Sequence, residues 1–256
     1  HKRMIKWIVV IGCMLSLSAL KAQKGTELQI LKHVNFLSTD LLKERSAGSD
    51  AERLSNNYIR ENWANGKRTS FYSWEYELNK DSVSLKSEMV GTFLYNKAKA
   101  TILIAADLES SSDIAVLLGL QNELSQLKLD VNVMVVGVTS NGNGHQGLDY
   151  LLTHMPKKAR DIRLLIHLNE VGGMDKGNPV LKITSTAGIF EELQLMTKQF
   201  ELTQIEDQLL ITGEEKTYVQ KGIQCLVVSA ANEESKVNVH GLHQIQEFLV
   251  QWVITK

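Results

Sequence analysis

Cysteine and proline are almost absent from this chain: its 256 residues hold two of each. Cys13 lies in an N-terminal apolar run and only Cys225 remains in the body, so no disulfide can form within the body and the fold must rest on its core. Cys225 sits in Ile223-Gln224-Cys225-Leu226-Val227-Val228, an apolar strand pattern in which a small buried hydrophobe is expected rather than a reactive thiol. The two prolines, Pro156 and Pro179, exclude proline-rich linkers and a string of small modules. Charge excess is missing as well. With 28 basic and 29 acidic residues the formal net charge is -1, which gives no electrostatic footprint for a nucleic-acid partner. No G-x-S-x-G nucleophile elbow occurs, which removes the serine-hydrolase reading common among α/β folds; Ser110 to Ser112, at a strand-to-helix junction, read as helix-capping residues. The one long apolar run, Trp7 to Leu20, is too short to span a bilayer comfortably, so no transmembrane segment is expected after its removal.

Lys2, Arg3 and Lys6 ahead of that run, and Lys21-Ala22-Gln23 after it, read as a signal peptide over residues 1–22, with a secreted or periplasmic single domain over 23–256. Val10-Ile11-Gly12-Cys13 offers a lipid-anchored alternative through Cys13, which weighs less because the apolar run continues past the cysteine. With 43% hydrophobic residues the chain can bury a sizeable core. Helical spacing marks Glu27 to Leu42, Asp50 to Trp63, Ile114 to Leu127, Gly147 to His154, Ile189 to Phe200 and Leu242 to Ile254. Strand patterns mark Ser70 to Tyr76, Met89 to Tyr95, Thr101 to Ala106, Val131 to Val138, Ile162 to Leu168, Val180 to Thr184 and Ile223 to Ser229. Their alternation implies an α/β three-layer sandwich with a mostly parallel central sheet and helices on both faces.

In such a sheet, ligands collect at the carboxyl ends of strands. The strand at Ile102 runs into two carboxylates there, Asp107 and Glu109, a candidate site. Gly142-Asn143-Gly144-His145-Gln146-Gly147 also satisfies the G-x-G-x-x-G pattern, with Glu170 downstream. A dinucleotide reading is weakened by the three residues between the strand and its first glycine, by the βα unit that precedes this one, and by the secretion signal. The plainer reading is a tight turn before a helix.

Together these segments resemble family twenty-eight of the metallopeptidases, the two-zinc aminopeptidases related to glutaminyl cyclases. Phe36-Leu37-Ser38-Thr39-Asp40-Leu41-Leu42, then Glu44-Arg45-Ser46-Ala47-Gly48-Ser49 and Tyr58-Ile59, look like that family's helix, G-R-x-A-G-S turn and helix. Glu88-Met89-Val90-Gly91 resembles its N-V-x-G strand, Gly144 to Tyr150 its G-L-x-G-S-x-x-Y helix start, His167 to Asp175 its N-L-D-M-V-G-R-M-D strand end, and Lys221-Gly222-Ile223-Gln224 its K-G-I-P segment. The resemblance covers roughly Leu28 to Leu249 and implies a zinc-aminopeptidase-like fold.

It also implies two zinc ions, a bridging carboxylate and a glutamate base, and each of those positions is altered. The H-x-D pair reads Asp107-Leu108-Glu109. The loop carrying the bridging aspartate is cut to Ser110-Ser111-Ser112-Asp113, where Asp113 is expected to cap a helix. The paired glutamates align with Asn141 and Gly142, neither of which can accept a proton at neutral pH, so general-base catalysis through that position is excluded. The strand-end aspartate aligns with Asn169, with Glu170 beside it on the opposite strand face. The last histidine is missing from Val228 to Lys236; His240 and His243 follow at i, i+3 spacing, but a polar helix start explains them better. The vestigial metal positions are thus Asp107, Asn141 and Asn169. The expectation is a non-catalytic relative that needs no cofactor and binds a peptide or protein. The competing reading is an active zinc hydrolase with a rearranged site built from Asp107, Glu109, His145, His167 and Glu170.

Overall fold

A computed structural model describes residues 23–80, 83–139, 146–173, 180–185, 203–206, 215–230 and 237–256, with 189, 192, 193 and 196 between them. The signal segment 1–22, with Cys13, and the loop holding Asn141, Gly142 and His145 lie outside the described residues.

Helix α1 (residues 23–37) and a 3-10 turn, Asp40–Leu42, open the described chain. The single helix expected over Glu27 to Leu42 is therefore broken, because Thr39 adopts an extended conformation and turns its hydroxyl back to the Phe36 carbonyl at 2.9 Å. Helix α2 (Asp50–Asn62) follows, then β1 (Thr69–Lys80) and β2 (Val83–Leu94), an antiparallel pair in which Trp74, Tyr76 and Leu78 are buried between exposed Glu75 and Glu77. The rest runs β3 (Thr101–Asp107), α3 (Ser111–Gln126), β4 (Asn132–Val138), α4 (Gln146–His154), β5 (Ile162–Leu168), β6 (Val180–Ser185), β7 (Thr203–Glu206), α5 (Lys216–Gln220), β8 (Gln224–Ala230) and α6 (Val239–Ile254). Most of the helix expected over Ile189 to Phe200 lies outside the described residues.

The eight strands among the described residues form one sheet in the order β1-β2-β4-β3-β5-β8-β6-β7. Its middle, β4-β3-β5-β8, is parallel, while β2 and β6 join it antiparallel. Strands β3, β4 and β5 are buried almost without interruption, as parallel strands must be when helices cover both faces and the backbone polar groups are satisfied within the sheet. On one face Ile102, Ile104, Val133, Val135, Leu164 and Ile166 pack with α1, α2, α3 and α6. On the other, Leu103, Met134, Leu165 and Cys225 pack with Leu148 and Leu151 of α4 and Tyr218 of α5. The expected three layers are present. Strand β7 was not expected: Thr203-Gln204-Ile205-Glu206 has a single apolar residue, and its strand character comes from pairing with β6 at the sheet edge.

Cys225 is fully buried in the second layer, and burial, with Glu215 nearby, pushes its thiol up to about 12. An alkylating reagent at neutral pH is expected to leave it unmodified in the native protein and to label it once the chain is unfolded in urea. Native labelling at the unfolded rate contradicts this placement.

Candidate functional site

The carboxyl ends of β3 and β5 open into a cleft of about 690 Å³, lined by Asp40, Lys43, Arg45, Asp107, Glu109 and Glu170, among others. Three of the residues singled out in the sequence, Asp107, Glu109 and Glu170, therefore share one cleft. His167 does not join them. Leu164, Ile166 and Leu168 face the first layer, so alternation along β5 turns His167 to the other. There it is 6% exposed and its Nδ1 makes a short contact to the buried Glu215 Oε1. Glu215 was not anticipated, since it lies 48 residues away in sequence and carries no local signal.

The cleft floor is built by Arg45, which is 2% exposed. Its guanidinium donates from Nε to the Leu108 carbonyl at 2.6 Å, from Nη1 to the carbonyls of Leu42 at 2.7 Å and of Leu37, and from Nη2 to the Glu109 carbonyl at 2.6 Å and Ser111 Oγ at 3.1 Å. One side chain thus ties the end of α1 and the 3-10 turn to the β3–α3 junction. Burial lowers its pKa, and the nearby Asp107 and Glu109 act in the opposite direction. The arginine of the G-R-x-A-G-S-like turn is in this protein a strut, and its fork of donors suits several carbonyls at once.

Asp107 ends β3, and its Oδ1 accepts the Glu109 N–H at 2.9 Å, closing a turn in which the Ser110 N–H also reaches the Asp107 carbonyl at 3.2 Å. Of the capping residues expected over Ser110 to Asp113, the α3 cap is Ser110 and not Asp113: Ser110 Oγ accepts the Asp113 N–H at 3.2 Å. This is a correction with a physical reason, because Asp113 sits at the third helical position and its carboxylate turns away from its own helix end. Its oxygens instead accept the Glu170 and Val171 N–H groups, each at 2.8 Å. Asp113 is fully buried, and burial pushes its carboxyl up to about 7 even though those backbone donors pull the other way. Glu170 is held in the left-handed region at φ 55, so it does not continue β5. The expectation that Glu170 points to the opposite strand face fails because β5 ends at Leu168; Asn169, beyond it, donates its N–H to the Val228 carbonyl at 3.0 Å.

Glu52 was also not anticipated. Its Oε2 accepts the Gly48 N–H at 2.7 Å while its own N–H goes to Ser49 Oγ at 3.0 Å, a reciprocal arrangement at the α2 start. Oε1 accepts the hydroxyls of Ser87 and, at 2.6 Å, Thr139, linking α2 to β2 and to the end of β4. The S-x-x-E spacing from Ser49 to Glu52 was the available signal. Gly48 completes this turn at φ 76, and a Cβ there would meet the Lys86 carbonyl oxygen at 2.9 Å. Gly48→Ala is expected to cost about 2 kcal/mol in urea unfolding, from strained backbone plus that close contact; a change within error contradicts the account of this turn.

His240 and His243 do not form a pair. His240 is half-exposed and its Nδ1 lies 2.9 Å from Glu27 Oε1, whereas His243 is buried with Nε2 3.7 Å from Glu247. Both lie on α6, capped by Asn238, which agrees with the helix-start reading. Among the described residues no group of three or more His, Cys, Asp or Glu side chains is placed to hold a metal ion.

No family model and no curated protein matches the chain by sequence. Solved structures do. LapB from Legionella pneumophila superposes with a TM-score of 0.75 at 12% identity, over 89% of this chain and 71% of LapB. A zinc-dependent exopeptidase from Parabacteroides distasonis gives 0.71 at 11% identity, over 91% and 98%. A glutaminyl cyclase from Fimbriiglobus ruber gives 0.72 at 10% identity, over 90% and 95%. The chain has the fold shared by zinc-dependent exopeptidases, aminopeptidases and glutaminyl cyclases, and at these identities the likeness is one of fold. Among the described residues no helix is long and apolar enough to cross a membrane.

Proposed function

We propose that this chain is a secreted, non-catalytic relative of the zinc aminopeptidases that binds a peptide or partner protein in its strand-end cleft. The observation that supports this most is the use of Asp113. Asp113, the one carboxylate the shortened loop offers in place of the bridging aspartate, is fully buried and spends both oxygens on the Glu170 and Val171 backbone, so it holds a turn rather than facing the cleft. Asp107 likewise accepts the Glu109 N–H. By the sequence resemblance Asn141 and Gly142 align with the paired glutamates that supply the base, and neither can take a proton from water at neutral pH. The rearranged hydrolase is opposed by the position of His167, which faces Glu215 in the other layer.

The cleft instead offers Asp40, Asp107, Glu109 and Glu170 with one lysine, Lys43, and the internally bonded Arg45. That balance suits a ligand with an ammonium group or basic side chains. Hydrolysis of aminoacyl-anilide substrates with added zinc is the test. No turnover above a heat-denatured control is expected; a rate that a chelator abolishes and that Glu109→Ala removes overturns the reading.

A further inference from the structure

The formal net charge of -1 conceals a separation of charge along the strand direction. The register Thr69↔Leu94, Leu94↔Val133, Thr101↔Asn132 and Leu164↔Gln224 brings the starts of β1, β4, β3, β5 and β8 to one end of the sheet. The acidic cleft lies at the other end. Lys97 and Lys99 lead into β3, Lys128 into β4, and Lys157 and Lys158 into β5, whose second residue is Arg163; all are exposed. Lys67 before β1 and Lys221 before β8 extend the row across β1-β2-β4-β3-β5-β8, a length of about 24 Å at the usual strand spacing. The acids in the same connecting segments are Asp130 and Asp161. None of these lysines, nor Arg163, makes an ion pair among the described residues; Lys256, at the same end, spends its charge on Glu192 at 2.5 Å.

The basic end is held in place from beneath. Asn132, fully buried, accepts the Asn96 and Ala98 N–H groups through Oδ1 at 2.9 and 3.3 Å and donates Nδ2 to the Ala98 carbonyl at 2.8 Å. Lys97, between those two residues, sits at φ 61, a conformation unfavourable for lysine in an unconstrained loop, so Asn132 sets where Lys97 is presented. Lys158 Nζ lies 4.5 Å from the Tyr95 ring centroid, which draws the segment before β5 against the one before β3. Lys99 and Arg163 share the lining of a cavity of about 340 Å³ with Ile102, Val131 and Leu164. Ile254, 45% exposed, ends α6 two residues before Lys256, which also lines that cavity. The row is several times longer than a single anionic group. Its lysines are point charges on flexible stems, which follow a laterally mobile array of anions, whereas recognition of one fixed phosphate or carboxylate favours the bidentate fork of arginine. The exposed isoleucine at the same end adds an apolar group able to enter a lipid interface.

We propose that this end of the molecule docks on a bilayer surface of anionic phospholipids, with the headgroups against the lysine row and the strand-end cleft facing solvent. The proposal rests on the distribution of charge and does not depend on what the cleft binds. Co-sedimentation of the full chain with vesicles of mixed phosphatidylglycerol and phosphatidylcholine, and with vesicles of phosphatidylcholine alone, tests it. Binding to the anionic vesicles only is expected, and it falls as the salt concentration is raised. Lys99→Glu/Arg163→Glu and Lys157→Glu/Lys158→Glu are each expected to weaken it about tenfold or more. Arg53→Glu/Lys86→Glu makes the same change of charge at exposed positions near the cleft end of the sheet, and is expected to leave the affinity within about twofold. Polyphosphate titrated into the chain without vesicles is expected to bind more weakly than the anionic vesicles do at equal phosphate. No binding to anionic vesicles, equal binding to phosphatidylcholine alone, an equal loss in Arg53→Glu/Lys86→Glu, or polyphosphate binding as tight as that of the vesicles would each overturn the assignment.

Discussion

Arg45→Met is expected to lower the stability of the protein by about 4 kcal/mol, seen as a fall in the urea midpoint. The substitution keeps much of the apolar stem but leaves the carbonyls of Leu37, Leu42, Leu108 and Glu109 without their donor, at about 1 kcal/mol for each buried acceptor. It also removes from beside Asp107 and Glu109 the guanidinium charge that interacts with both. Arg45→Lys is expected to recover less than half of the loss, because one ammonium cannot reach acceptors spread over α1, the 3-10 turn and the β3–α3 junction. A midpoint unchanged in Arg45→Met contradicts the role given to this side chain.

Asp113→Ala is expected to cost about 3 kcal/mol. Two backbone N–H groups in the β5 turn lose their acceptor, and Glu170 loses what holds it at φ 55. The same carboxyl carries a pH signature. Its folded pKa is raised from 3.8 to about 7 by burial, so the folded protein binds a proton there that the unfolded chain has released. The stability it contributes is fully present below pH 3.8 and is lost as the pH rises through 7. Asp113→Asn lacks this titration. The stability difference between wild type and Asp113→Asn is therefore expected to move against wild type as the pH rises from 4 to 7. Parallel pH profiles contradict the raised pKa.

Most of the layered fold is legible in the sequence because its elements are long and periodic. The apolar runs of β3, β4 and β5 can be buried only between two helical layers, and α3 and α6 carry apolar residues at helical spacing. Strand β7 was not legible, since its pairing with β6 and not its residue types makes it a strand. At the site, the residue types at Asp107, Glu109 and Glu170 located the cleft, and the structure brings those three together. Their detailed roles were not legible. Whether Asp113 caps its own helix or reaches the β5 turn depends on how α3 meets that turn across 57 residues of sequence. The pairing of His167 with Glu215 depends likewise on the strand alternation that turns the histidine into the opposite layer.

The proposed function requires that this chain, with the fold of the zinc-dependent exopeptidases and a strand-end cleft, holds no zinc. Elemental analysis of the purified chain, after incubation with excess zinc and removal of free metal by gel filtration, tests it most directly. The account predicts no stoichiometric zinc, with the same trace content in wild type and in Asp107→Ala. Stoichiometric zinc that Asp107→Ala or Glu170→Ala removes would contradict it.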